Sequence, residues 1–480
     1  MPSNSYDLVV LGDDLAALVC GTLCARRGLR TLVLGEDRPA RYQLGPHRMP
    51  IEPVLWPAQA TAGDRVLREL HAELALRRKL REPRAPNPGA QVVLPDIRID
   101  LGAGRLAGEL AREVGKEAGE AWLARWDRSA DVAKLAERAA ADASAWWDDA
   151  KADPRAQLWR HLAAIALRHP GAAPAAIARV IDGWRTGPAA LRGDGDGIRE
   201  LLVEKLITAG GEVRAGKVTE LGVSWGKIAS LTLSNGDEIG TGQVVASKHP
   251  SELAQLLGKK APKRLAELAD GIALVGYRYT LNIVLDEAGV PEHMAPTVAV
   301  IAAPEKEPVG DAAFSLHLGE ADDTGRVIAT IAAILPADGA LEPDRLVPKC
   351  MALRTALWQR LGDVMPFFER HLVLAHSPFE ATPPQVPGGR GSYDVPRNLP
   401  LAMMPVWSAK RPAETAVEQI AGSSLTYTTG MKNLTLTGEQ LLPTLGIEGA
   451  FASGWSAAKV ACAIAGKKKD YLRDEVVGAA

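Results

Sequence analysis

Residues 6–37 read YDLVVLGDDLAALVCGTLCARRGLRTLVLGED, and no other stretch constrains the fold as tightly. Leu8, Val9, Val10 and Leu11 form the short apolar run expected of a strand buried on both faces. Gly12 follows, then a helix-like stretch to Arg27, then Gly28 as a stop. Thr31 to Leu34 is a second β-rich run. Strand, helix and strand within about 30 residues make a βαβ unit. Its two strands must lie parallel, with the helix crossing over a sheet face.

In a dinucleotide-binding βαβ unit the first turn reads G-x-G-x-x-G and an acid ends the second strand. Here the glycine positions hold Gly12, Asp14 and Ala17, and the acid position holds Gly35. The second glycine normally lets the backbone approach a pyrophosphate, which the helix amides and dipole then hold. Asp14 brings an anion to that place. Two like unit charges about 5 Å apart repel by roughly 3 kcal/mol at an effective dielectric of 20. Aspartate is also a preferred N-cap, so Asp14 is expected to bond the amide of Ala16 or Ala17 itself. Ala17 is a mild change, since the fingerprint tolerates alanine there. Glu36 and Asp37 follow Gly35 at once, and a one-residue slip would restore an acid.

At 480 residues the chain exceeds one ordinary core, so two or three domains are expected. Its net charge of −2 gives no basic stripe for nucleic acid, and none is expected as a partner. Cys20, Cys24, Cys350 and Cys462 show no metal-ligand grouping, and the first two read as packing residues one helical turn apart. The nine histidines are scattered, and no metal is expected. The start MPSNSYD lacks a charged signal-like region, and no apolar stretch reaches the length of a membrane span. A cytoplasmic location is expected. The basic run Lys467 to Lys469 reads as a solvated helix end.

The organisation is discontinuous. A Pro-rich stretch around Pro46, Pro50, Pro53 and Pro57 reads as loop, and residues 62–92 as helical until PRAPNPG at 83–89. Residues 103–190 carry apolar residues at helical spacing, and Pro154, Pro170 and Pro174 should divide them into separate helices. Six of the eleven tryptophans fall there, among them Trp122 and Trp126 on one helix face, which reads as core packing. From 194 to 253 the chain gives an amphipathic helix from Ile198 to Thr208, a Gly-Gly stop and a strand near Val213. A hairpin through Ser234-Asn235-Gly236 follows, then a buried strand at Val244 to Ala246. Runs at Ile272 to Val284, Thr297 to Ala302 and Arg326 to Ile334 predict a mixed sheet, with a helix near 342–362. The tail, NLTLTGEQLLPTLGIEGAFASGWSAAKVACAIAG, reads as a strand ending in Gly438-Glu439, a turn, and a helix beginning near Gly449.

The order of these three blocks resembles the flavoproteins with two dinucleotide-binding domains. Within them it is most similar to the phytoene-desaturase-like branch of the FAD-dependent amine oxidase and protoporphyrinogen oxidase superfamily. The resemblance covers roughly residues 6–45, 190–255 and 430–466. It implies an α/β fold: a discontinuous Rossmann-like FAD-binding domain (1–60, 190–255 and 430–480), a helical cap insertion (61–189) and a mixed-sheet substrate domain (256–429). Gly12, Asp14, Leu15, Ala16 and Ala17 would form the first loop and helix start against the FAD diphosphate, with Glu36 toward the ribose. Val218 would contact adenine, and Gly438 and Glu439 would approach the diphosphate and ribityl chain. Gly446, Ile447, Glu448 and Gly449 would face the isoalloxazine.

The function so implied is an FAD-dependent oxidoreductase taking a hydride from an apolar substrate, with no acid–base residue the sequence reveals. The departures at Asp14 and Gly35 fall on the diphosphate and the ribose, which leaves two alternatives. One is a flavin-free member binding a partner protein or a lipid-like ligand, as the GDP-dissociation inhibitors do on a similar fold. The other is an NADP-dependent enzyme, from Gly35 with Arg38 and Arg41 nearby. A peripheral membrane contact stays open.

Overall fold

The amino-terminal apolar run is the centre of a parallel sheet. The computed structural model describes residues 4–36, 38–53, 74, 89–101, 104–136, 147, 156–171, 174–186, 196–337, 343–386, 393–410, 428–443 and 446–466. In chain order the first strands are β1 (Ser5–Leu11), β2 (Thr31–Gly35), β3 (Arg41–Leu44), β4 (His47–Pro50), β5 (Ala90–Val93) and β6 (Arg98–Leu101). Then come β7 (Glu212–Ala215), β8 (Val218–Ser224), β9 (Lys227–Leu233), β10 (Glu238–Ala246) and β11 (Ile272–Asp286). The last are β12 (Thr297–Ile301), β13 (Ala313–Leu318), β14 (Arg326–Pro336), β15 (Leu372–His376), β16 (Pro405–Ala409) and β17 (Leu434–Leu436).

The first sheet has the order β7-β2-β1-β10-β9-β8, with β17 also on β10. β1 pairs in parallel with β2 and β10, and β10 with β17, so strands from all three sequence blocks are hydrogen-bonded neighbours. Leu8 to Leu11 are fully buried, because helices cover one face and the β8–β9 hairpin with two short helices covers the other. On the first face helix α1 (Leu15–Arg26) packs on the carboxy-terminal helix Gly446–Ile464 and on Asp196–Thr208. Cys20, Cys24 and Cys462 are buried there, with the Sγ atoms of Cys24 and Cys462 4.0 Å apart.

The second sheet has the order β15-β11-β14-β13-β12-β5-β6, with β16 on β11, and is mixed: β12 pairs β5 in parallel while β11 and β14 are antiparallel. Residues 90–101 therefore belong to this sheet, and not to a helical cap running from 61 to 189. Their short strands carry alternating polar residues beside a Pro-rich segment, which hid them. The segment read as loop around Pro46 and Pro50 also carries strand, since β3 and β4 form a hairpin. Its Tyr42, Leu44, Met49 and Ile51 pack on the second sheet's core.

Within 104–186 every described element is a helix: Leu106–Val114, Lys116–Ala136, Ala156–Leu167 and Pro174–Thr186. Pro170 and Pro174 separate the last two, and Gly115, at φ 87°, separates the first two; Pro154 lies outside the described residues. Trp122, Trp126, Trp159 and Trp184 are buried in one core against β5, β6, β12 and β13. The Trp126 indole donates to the Ile181 carbonyl at 2.6 Å, satisfying the polar edge of a buried ring.

Candidate functional site

The site begins at Gly12, where β1 turns into α1. Gly12 has φ 112°, and a Cβ there would lie 3.0 Å from the Cβ of Ser247, the first residue past β10. Asp14 is the N-cap of α1. The Ala17 amide donates to its Oδ1 at 2.8 Å, and the Ser247 hydroxyl donates to its Oδ2. The self-capping expected of this aspartate is present. Burial pushes its carboxyl up to about 6, against the bonds from Ser247 and Ala17, and the charges of Glu439 and Asp13 add to the rise.

Asp13 explains Gly35. A Cβ on Gly35 would lie 2.5 Å from both Cβ and Cγ of Asp13, so the strand end carries no side chain because its neighbour's carboxylate fills the room. Arg199, on the helix Asp196–Thr208, donates to Asp13 Oδ2 at 2.6 Å and to the Asp13 carbonyl. Glu36 turns instead to Lys248, whose Nζ lies 2.8 Å from its Oε1. That contact holds its carboxyl below the usual glutamate range.

Gly438 closes the arrangement from β17. It has φ 108°, and a Cβ would meet Ser247 Oγ at 2.5 Å. Ser247 thus touches the Gly12 turn, the Asp14 carboxylate and the Gly438 turn. Both glycines are required by their positive φ, whether or not a cofactor is present, and both lie against this serine. Glu439 accepts from Arg278 of β11, which ties the two sheets together. Arg278 Nη1 also lies 3.7 Å from Glu52 Oε2, while Arg168 Nη1 lies 3.6 Å from Oε2 and Arg38 Nη2 3.6 Å from Oε1. Burial opposes the charge on Arg278, but Glu439 and Glu52 outweigh it and raise its pKa. Arg168 has weaker compensation, and burial brings it down to about 10. Burial acts to raise the Glu52 carboxyl, yet the three guanidinium groups hold it below the usual range.

The structure therefore brings together Gly12, Asp14, Leu15, Ala16, Ala17, Gly438 and Glu439. Val218 stands near the end of β2, since the Gly216 amide donates to the Gly35 carbonyl at 2.8 Å, and it is buried in the core beneath the hairpin. Gly446 and Ile447 begin the carboxy-terminal helix; Gly446 abuts Leu167 at the end of a cap helix, and Gly449 is buried. The helix starts at Gly446 and not near Gly449, and the Glu448 side chain lies outside the described residues. Sequence reasoning missed Asp13, Arg199, Ser247, Lys248, Glu52, Arg168 and Arg278. Ser247 carried a signal, as the residue following a buried parallel strand; the arginines carried none.

Arg38 donates to the Ala402 carbonyl at 2.9 Å and Arg41 to the Arg48 carbonyl at 3.4 Å, so the cations an NADP phosphate would need are engaged. An FAD diphosphate meets a different obstacle. Its place at the helix start holds the Asp14 carboxylate, within reach of the charges of Glu439 and Asp13, and Arg278 and Arg199 are paired with those two. The residues present do not fit that group in the fingerprint's manner. Among the described residues no group of three or more His, Cys, Asp or Glu is placed to hold a metal.

No protein-family model and no curated protein matches the sequence. Solved structures do match the fold. An oxidoreductase from Methanosarcina mazei superposes with a TM-score of 0.62 at 11% identity, over 94% of this chain and 99% of its own. A putrescine oxidase variant with redesigned cofactor binding gives 0.58 at 12% identity, over 97% and 99%. A Rab GDI from Plasmodium falciparum gives 0.50 at 12% identity, over 95% and 98%. The chain thus shares the mixed α/β fold of these proteins. At these identities the likeness establishes the fold alone, and the site must supply the function.

Proposed function

We propose that this chain is a binding protein that keeps the flavoprotein architecture without flavin chemistry. Its ligand on this reading is apolar or lipid-like. The observation that carries the proposal is the Asp14 carboxylate, bonded to Ala17 and Ser247 where a diphosphate would sit. The carboxylate of Asp13 beside Gly35 supports it, because the strand end that would address a ribose is already filled. The apolar character of the ligand rests on the likeness to the phytoene-desaturase-like branch.

The flavin-enzyme reading has one observation in its favour. The amides of Leu15 and Ala16 donate to no acceptor among the described residues, as at a helix start that receives an anion. The two readings separate on the flavin content of the purified protein. Denaturing it and quantifying released FAD should give well under one FAD per chain, even after incubation with excess FAD and desalting. Stoichiometric FAD in the protein as purified would overturn the proposal and favour an oxidoreductase of the desaturase type.

A further inference from the structure

The hairpin between β8 and β9 turns on only two residues, Trp225 and Gly226, at φ 52° and 73°. Both central residues of a type I′ turn need positive φ, which suits Asn-Gly or Gly-Gly and strains a large side chain. Trp225 adopts it and is 100% exposed, so no packing within the chain compensates either the strain or the hydration of the ring. Large exposed side chains in strained backbone are found where a surface makes contact with something else.

Lysines stand on this turn and on the segment that contacts the hairpin. Lys227 stands directly after the turn, and Lys260 donates to the Val223 carbonyl at 3.0 Å, which holds the segment Gly258–Lys260 against the hairpin. Lys259 and Lys263 flank it, and all four lysines are exposed. None of the four pairs with a carboxylate among the described residues. The nearby acids are committed or distant. Glu252 pairs with Lys248 and Glu267 with Arg264, while Glu220 stands five residues back along β8, roughly 17 Å at strand rise. Glu287 and Glu238 belong to other turns of the chain.

We propose that this hairpin tip docks on an anionic lipid surface, with the Trp225 indole in the headgroup layer and Lys227, Lys259, Lys260 and Lys263 against the phosphates. Tryptophan favours the membrane–water boundary, where its ring is buried and its N–H stays hydrated. Lysines near an anionic surface strengthen binding about fivefold each, and the two signals together support stable but reversible attachment. A single projecting ring suits insertion between lipids better than a protein interface, which needs a broader apolar core. Strand β8 runs in the same direction as β10 and β1, because β9 is antiparallel to both of its partners. The inference does not depend on whether the interior binds flavin.

The test is cosedimentation of the full chain with vesicles of pure phosphatidylcholine and of phosphatidylcholine with phosphatidylglycerol. Binding should require the anionic lipid and fall with added salt. Trp225→Ser should weaken it at least fivefold, Trp225→Phe much less, and Lys259→Glu with Lys263→Glu at least twentyfold. Each variant is checked for an unchanged unfolding midpoint, which the exposed positions should give. Equal sedimentation of the unaltered protein with both vesicle types, or undiminished binding by the tryptophan and lysine variants, overturns the proposal. Retention of the unaltered protein on single-stranded DNA but not on anionic vesicles would also overturn it, in favour of a nucleic-acid surface.

Discussion

Asp13 and Gly35 behave as one unit, though they are far apart in sequence. Each looks like a defect when read alone: a charge in a phosphate loop, and a glycine where an acid belongs. Together they are complementary, since the Asp13 side chain occupies the space a Gly35 side chain would take, and Arg199 holds it there. Gly35→Ala should therefore lose about 1–3 kcal/mol of stability by overpacking, read as a shift of the urea unfolding midpoint. Adding Asp13→Gly should recover a measurable part of that loss, because the residues share one space and their effects cannot be additive. Additive losses in the double variant would show that the crowding is not what keeps residue 35 a glycine.

On the first sheet α1 and the carboxy-terminal helix approach each other closely. A Cβ on Gly454 would run into the backbone carbonyl of Ala16 and lie 3.0 Å from Val19 Cβ. The small residue that the fingerprint places on its first helix is thus matched here by a glycine on the opposing one. Gly454→Ala should destabilise by about 2 kcal/mol, since the obstacle is backbone and cannot swing away. A midpoint unchanged from the unaltered protein would mean that the helices separate freely.

This element-scale packing also explains what the sequence disclosed. The long apolar strands and the helix spacing between 104 and 186 were legible because periodicity reports burial. The self-cap at Asp14 was legible because capping is local. The hairpin β5–β6 was not, since four-residue strands such as AQVV and RIDL gain their place from pairing with distant neighbours. Arg168, Arg278 and Glu52 were equally silent, because three cations converge on one carboxylate only after four separate segments have met.

At the scale of the molecule, those charges lie where the sheets join. Arg278 comes from the second sheet, Glu439 from the end of β17 in the first, Glu52 from the chain just past the β3–β4 hairpin and Arg168 from just past a cap helix. The junction of the two sheets is crossed by ion pairs of the chain itself. On the proposed reading the chain's own carboxylate at Asp14 excludes a diphosphate from the helix start. Protonation should relieve that exclusion, because an acid with a pKa raised to about 6 is neutral below it and charged above it. The most direct measurement is a fluorescence titration of FAD into the unaltered protein and Asp14→Gly, at pH values on either side of that pKa. At the higher pH, Asp14→Gly should bind FAD at least tenfold more tightly, about 1.4 kcal/mol. The unaltered protein alone should gain affinity as the pH falls. Equal affinities of the two proteins at both pH values, or equal absence of binding, would contradict the claim.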